Sequence, residues 1–501
     1  MAKALPPLSH HKVVVMGLGL HGGGLSIAQW LYSQRAKVVV TDLKTADQLA
    51  PSVAKLDEFC ADFKKRHPTM ALHPIVYVLG EHREQDFATA DLIIKNPDVR
   101  ANNQYLAIAQ AHGVRIENEV TLLFLLTPHT QKIGITGTRG KSTTTTLVYR
   151  IMQRAYPGTL LGGNIRVSTI GEILDTAVKN DTSKDPAPIV LELSSWQLAL
   201  LHDLGMSPHI GVFTNLLPDH LNRYAGMAEY GEDKNAIHRY QAKDDIGIFN
   251  FDNEYTREQG SKQRDGRVMW WSHSGKIPGD GVYVMRKDGV PMIMVRQGKK
   301  EQVVCPVSDV VVEGIHNLSN VLAAVATTRS AGASLAQIRA EIKNFTGIPY
   351  RLEYLMTVQE RRIVNDTAAT TPVSTGVALR TLGKGRARKI VLIAGGADKN
   401  LPFDELAPVI GKTVRAVVLL SGTATPRLAE CLAREHYDGE VAVANSMAEA
   451  VEKAWRFSRK GDTIILSPAC ASFGMFTNEF DRGDQFAASI QGLAASKSGT
   501  R

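Results

Sequence analysis

Residues 135–146 read ITGTRGKSTTTT, a run whose residue types suit the binding of phosphate. Gly137 and Gly140 flank a tight turn, and Lys141 and Ser142 open a helix expected to reach about Arg154. Backbone N–H groups and a helix N-terminus can cradle phosphate oxygens, Lys141 can neutralise them, and a hydroxyl can bind Mg²⁺. A strict P-loop has glycine where Ile135 stands, so the spacing departs from the common form. The threonines at 143–146 are poor helix formers, and a ligand or packing must offset their cost.

Two further groups belong to the same chemistry. Glu192 ends the apolar run PIVLELS (188–194), and His220 follows the run HIGVFTN (209–215) in a polar loop. A carboxylate and an imidazole near a phosphate loop suit one or two Mg²⁺ ions, which take few protein ligands. Singly, each is as well read as a surface carboxylate and a hydrogen-bonded loop histidine. A second glycine turn, GLGLHG (17–22), lies between a strand and a helix, with Asp42 closing the next strand. It suits the diphosphate of NAD, another diphosphate ligand, or simply close packing of helix on strand.

The elements that must position these groups are short apolar runs alternating with longer helical patterns, the mark of α/β domains with parallel sheets. Strands are expected at 12–17, 37–42 and 91–96, then at 132–137, 188–194, 209–215 and 245–250. Mixed strands and turns follow at 265–312, and a helix at 317–331. A third unit opens near 347–353, with strands at 362–367, 389–396, 416–422, 441–444 and 463–469. The polar tail AASKSGTR (494–501) is expected to fray.

With 501 residues, the chain is long enough for two to four domains. Its net charge of +8 is dispersed in twos and threes, which points away from nucleic acid and fits a protein holding several anionic small molecules. Four scattered cysteines suggest neither a disulfide framework nor a zinc site, and fit a reducing cytoplasm. No run has the length of a membrane span, and the N-terminus lacks the apolar core of a signal peptide.

TGTRGKSTT, LELSSWQL, GGNI (162–165), GIHNLSN (314–320), VNDTAAT and LSPACASFGMFTNEFDRG occur in the order seen in the Mur ligase family. The chain resembles these ATP-dependent amide-bond formers of peptidoglycan synthesis over nearly its whole length. Their phosphate loop needs no glycine at position 135. Within the family it is most similar to the members that join D-glutamate to UDP-N-acetylmuramoyl-L-alanine.

The resemblance implies three α/β domains. These are a Rossmann-like UDP-binding domain (1–128), a central P-loop ATPase domain with a mostly parallel sheet (129–347), and a Rossmann-like amino-acid-binding domain (348–501). It implies ATP at Gly137, Thr138, Gly140, Lys141, Ser142, Thr143, Asn317, Asn320, Arg351 and Asp366. The UDP-sugar falls to Gly19, Leu20, His21, Asp42, Asn164 and Ser194, and the amino acid to Thr370, Lys399 and Ser472. Two Mg²⁺ ions fall to Ser142, Glu192, His220 and Lys234, the last as a carbamate.

The implied reaction has a substrate carboxylate attack the γ-phosphate of ATP, after which the glutamate amine displaces phosphate from the acyl phosphate. The catalytic set is Lys141, Lys234, His220 and Glu192, in a cytoplasmic monomer with no nucleic-acid or membrane partner. The chain departs from the family pattern at Asn96-Pro97-Asp98, Asn222, Tyr350, Ala368 and Gly474. Ala368 removes a lysine and so one positive charge. Other readings are the same chemistry with L-glutamate or another amino acid, a non-catalytic nucleotide-sugar binder, and an NAD-dependent oxidoreductase.

Overall fold

The computed structural model describes residues 5–20, 22–97, 99–100, 102–165, 169–219, 224–263, 265–312, 314–385, 388–399 and 401–498. The fold is α/β throughout and is built on three mostly parallel sheets. The first contains β1 (Lys12–Met16), β2 (Lys37–Asp42), β3 (Val76–Leu79), β4 (Leu92–Lys95) and β5 (Arg115–Glu117), in the order β3-β2-β1-β4-β5. All its pairings are parallel, and the chain reverses its winding between β1 and β4. The glycine turn after β1 therefore opens onto the crevice where doubly wound sheets bind ligands.

The second sheet contains β6 (Lys132–Thr136), β7 (Leu160–Gly163), β8 (Ile189–Glu192), β9 (Ile210–Phe213), β10 (Ile246–Asn250), β11 (Arg267–Ser272), β12 (Gly281–Lys287), β13 (Val290–Gln297) and β14 (Lys300–Pro306). Its order is β14-β13-β12-β11-β10-β9-β6-β8-β7. Only its β12–β13–β14 edge is antiparallel. β6 lies between β8 and β9, so the loop leaving it is flanked by the exits of both neighbours.

These two sheets form one compact unit, Met1–Asn344. A single core joins them: Val15 and Leu31 pack in the same cluster as Leu174, Leu191 and Phe213. The helices Gly23–Ser33 and Ile170–Asp181 make the seam, with the Trp30 indole donating to Asp175 Oδ1 at 2.8 Å. Contact there is so close that a Cβ on Gly171 would lie 2.5 Å from the Ser26 backbone. The connection between the sheets is also pinned, since Asp181 Oδ1 accepts from the amides of His129 (3.0 Å) and Thr130 (2.6 Å).

The second compact unit, Phe345–Arg501, holds the third sheet. Its strands are β15 (Glu353–Val358), β16 (Arg361–Asn365), β17 (Ile390–Gly395), β18 (Val414–Leu420), β19 (Glu440–Ala444) and β20 (Thr463–Leu466), in the order β15-β16-β20-β17-β18-β19. Separate apolar clusters cover its two faces, which suits parallel strands that are apolar on both sides.

The expected strands are present, with ends that differ by up to three residues: β2 has the expected bounds, β18 starts two residues earlier than expected, and β20 ends three earlier. β3, β5, β7 and β15 were not anticipated, and every one is a sheet edge. Edge strands are short and tolerate polar residues or glycine, so their sequences (RIE, LLGG) carry little periodic signal. The expectation of a frayed tail is corrected for residues 494–498, which complete the helix Glu479–Ser498. Leu493 and Ala494 pack against the third sheet's core, and that burial extends the helix.

Gly171→Val should cost about 1–3 kcal/mol, because the branched side chain has to force two packed helices apart. The check is the denaturant midpoint. An unchanged midpoint would mean that this seam does not hold the two sheets together.

Candidate active site

The phosphate loop begins at Gly137 because Ile135 is an interior residue of β6 with no exposed surface. Its shape is fixed by the exit of β9. Thr138 N donates to Asn215 O at 2.9 Å, Arg139 N donates to Asn215 Oδ1 at 3.0 Å, and the Thr214 hydroxyl donates to Arg139 O at 2.7 Å. Both loop glycines are forced by close approach. A Cβ would meet Thr214 Oγ1 at 1.9 Å from Gly137, or Asn320 Oδ1 at 2.2 Å from Gly140. Gly140, at φ 83°, then caps the helix Lys141–Ala155. Thr144 and Thr145 are wholly buried on that helix, so core packing offsets their poor propensity.

Lys141 folds back over the loop, its Nζ donating to the carbonyls of Gly137 (2.9 Å) and Thr138 (3.2 Å). A second amine approaches the same strand end. Lys234, on the helix Met227–Asn235, is 1% exposed, and its Nζ donates to Thr136 Oγ1 at 3.4 Å. It also lies 4.8 Å from the centroid of the Tyr230 ring. Burial, and next the charge of Lys141, hold the Lys234 ammonium well below the ordinary lysine range. The carboxylates of Asp219, Asp233 and Glu192 act in the opposite direction.

Glu192 ends β8 beside β6 and is 2% exposed. Asn164 joins it: the Asn164 amide donates to Glu192 O at 2.8 Å and its side chain donates to Glu192 Oε1 at 3.3 Å. Ser194 caps the helix Ser195–Leu204, its hydroxyl accepting from Gln197 N at 3.3 Å and donating to Gln197 Oε1 at 3.0 Å. Ser142 lies in the first turn after the loop, followed by Thr143. Asn317 and Asn320 share the first turns of the helix Ile315–Ser330, with Asn320 Nδ2 donating to Asn317 Oδ1 at 3.4 Å. His220 and Asn222 lie outside the described residues, as does His21. Among the described residues no cluster of three His, Cys, Asp or Glu side chains is arranged to hold a metal ion.

At the first sheet's switch point, Asp42 Oδ2 accepts from Gly19 N at 3.1 Å and Asp42 Oδ1 accepts from Lys44 N at 3.0 Å. Asn96 supports the same turn: its amide donates to Met16 O at 2.8 Å. Leu20 projects from this turn and is 51% exposed.

In the C-terminal unit, Asp366 leaves β16 beside Ser467, which leaves β20 and donates to Asp366 Oδ2 at 2.6 Å. Leu352 N donates to Asp366 Oδ1 at 3.0 Å. Burial pushes this carboxyl up to about 6, against those two donors and the nearby charge of Arg351. Lys399 Nζ donates to Thr370 Oγ1 at 2.9 Å. Ser472 is buried next to Ala471, whose backbone bridges Ala397 close to Lys399. Gly474 sits at φ 99°, a left-handed conformation that favours glycine over residues with a side chain.

Sequence reasoning missed the supports. Arg482 is wholly buried, donating to Thr367 Oγ1 (2.9 Å), Thr367 O (3.0 Å) and Cys470 O (3.2 Å), and so ties together the loops after β16 and β20. Thr136, Thr214, Asn215 and Tyr230 surround the phosphate loop in the same way. For Thr136, Thr214 and Asn215 the signal in the sequence is a polar residue closing an apolar strand, and Tyr230, inside a helix, carries no such signal.

Three family models match in succession. The Mur ligase MurD-like N-terminal domain covers residues 11–118, the Mur ligase middle domain 135–328, and the Mur ligase glutamate ligase domain 350–470. The UDP-N-acetylmuramoylalanine–D-glutamate ligase of Roseiflexus sp. is 40% identical over 96% of this chain and 98% of its own. The protein of the same name from Symbiobacterium thermophilum is 34% identical over the same shares. Among solved structures, the UDP-N-acetylmuramate-alanine ligase MurC from Thermotoga maritima shares the fold, with a TM-score of 0.53, 21% identity, and coverage of 97% of this chain and 100% of that one. Similarity to such relatives over nearly the whole chain, with three family models in order along one sequence, means that the chain belongs to the Mur ligase family.

Proposed function

We infer that this protein is an ATP-dependent ligase that joins D-glutamate to UDP-N-acetylmuramoyl-L-alanine in peptidoglycan precursor synthesis. The observation that carries the reading is the meeting of Lys141, Lys234 and Glu192 around the end of β6, in a chain whose relatives are named for that reaction. In this reading residues 1–128 bind the UDP moiety, 129–347 bind ATP, and 348–501 bind the amino acid. Gly19, Leu20, His21, Asp42, Asn164 and Ser194 face the UDP-sugar. Asn317, Asn320, Arg351 and Asp366 join the phosphate loop in holding ATP, and Thr370, Lys399 and Ser472 hold glutamate. The enzyme acts as a cytoplasmic monomer.

A carboxylate is a poor electrophile at neutral pH. Its oxygen therefore attacks the γ-phosphorus of ATP, the bond to the bridging oxygen breaks, and ADP leaves. The unprotonated amine of glutamate then adds to the acyl phosphate carbon, and the tetrahedral adduct expels inorganic phosphate and loses a proton. Lys141 and the loop amides oppose the charge on the transferring phosphoryl group, and the protein's contribution is positioning and electrostatics.

Ser142, Glu192, His220 and a carbamate on Lys234 would form an oxygen-rich donor set of the kind that suits Mg²⁺. Two such ions would supply further charge neutralisation at the phosphates. The environment of Lys234 supports the carbamate. Its depressed basicity favours the neutral amine, the form that can add to CO₂ and release a proton to give an anion. That anion would turn a repulsion between two amines into an attraction.

Lys141→Ala should reduce kcat by ~10²-fold or more while the protein still folds and binds the UDP-sugar. Phosphate-release kinetics with circular dichroism would check this, and near-normal turnover in the folded variant would count against the site.

Lys234→Ala and Lys234→Arg should both lose most activity, with added formate partly restoring only the alanine variant. Labelled bicarbonate should give a carbamate resonance in the parent protein. An active arginine variant or an absent resonance would refute the carbamate.

Phosphate release over a panel of amino acids should favour D-glutamate over its enantiomer. Lys399→Ala should raise the glutamate KM by roughly 10–100-fold, as expected for loss of a charge-assisted hydrogen bond, and change the ATP KM far less. Equal rates with both enantiomers would reject the stereochemical assignment.

A further inference from the structure

β11 carries two adjacent tryptophans, just before its last residue, that the pleat sends to opposite faces. Trp270 packs with Phe249 and Phe251, at ring-centroid distances of 5.9 and 5.5 Å. Trp271 faces the other way, is 1% exposed, and donates its indole N–H to Ser319 Oγ at 3.1 Å. Ser319 lies between Asn317 and Asn320 in the helix Ile315–Ser330, and Asn320 Oδ1 occupies the space that a side chain on Gly140 would need. A buried indole N–H is costly without an acceptor, so this bond favours one rotational setting of the helix.

We propose that Trp271 is a positioning residue for nucleotide binding, fixing through Ser319 the turn of helix that holds Asn317 and Asn320 against the phosphate loop. β11 is itself held in register, with Trp271 opposite Asn250 on β10 and Val282 on β12. The sheet thus transmits a fixed position to one side of the phosphate site, while the β9 exit fixes the other. Trp271 touches no reacting atom in this scheme. Its effect falls on how well the asparagines are placed before ATP arrives.

The proposal rests on the reading of this loop as the ATP site, and the test separates the two. Binding of a non-hydrolysable ATP analogue and the KM for each substrate are measured for the parent, Trp271→Phe, Ser319→Ala and the double variant. Each single variant should weaken analogue binding and raise the ATP KM by about five- to tenfold, the usual effect of one lost hydrogen bond. The KM values for the UDP-sugar and the amino acid should stay within about twofold. The double variant should be no worse than either single one, since both remove the same bond. If the parent fails to bind the analogue, the ATP reading itself falls. If the parent binds and Ser319→Ala binds equally well, or if all three KM values rise together, the positioning role is overturned. Ser319→Ala keeps the test decisive even if Trp271→Phe does not fold.

Discussion

Two amines share one strand end. Lys141 arrives from the helix that follows β6 and Lys234 from the helix Met227–Asn235, and Lys234 is sealed from solvent beside the Thr136 hydroxyl. Two ammonium groups held close in a medium of low dielectric repel strongly, and burial disfavours the Lys234 charge further. The protein meets this constraint by depressing the basicity of Lys234 and placing Glu192, Asp219 and Asp233 where their charges act on it. The rest of the central unit is arranged so that these groups cannot move apart. Glu192 is fixed by the β6–β8 pairing, and Lys234 by burial of its helix.

The same economy of space shapes the loop between them. Gly137 and Gly140 are small because Thr214 and Asn320 occupy the volume that larger residues would need. Thr214 and Asn215 hold the loop through its backbone, which leaves the Lys141 side chain to its carbonyl contacts. A loop held this way has little backbone freedom left, and preorganised donors are the larger part of electrostatic catalysis.

The C-terminal unit follows a similar logic with different residues. Asp366 and Ser467 meet because β16 and β20 are neighbours, and Arg482 ties both exits from below. Lys399 and Thr370 then form a polar pair on loops whose bases are fixed. Ala368 stands among these groups without a charge. Three cations of this unit, Arg351, Lys399 and the buried Arg482, come from three separate segments.

The sequence alone determined the α/β class, most central strands, and the glycine turn that opens a helix at Lys141. These are local features: an apolar run, a glycine turn and a helix start lie within a dozen residues and need no distant partner to be read. The edge strands β3, β5, β7 and β15 were illegible because they bury too little to impose a pattern. Most of the predicted site residues fall in strand-exit loops or first helical turns, which could be foreseen for a parallel sheet. Only the tertiary structure decided which of them meet. The pairing of Lys234 with Lys141, separated by 93 positions, and the buried position of Arg482 are set by strand order and helix packing. The charge of a buried lysine depends on neighbours from other segments, and those become neighbours only when the sheet closes around them.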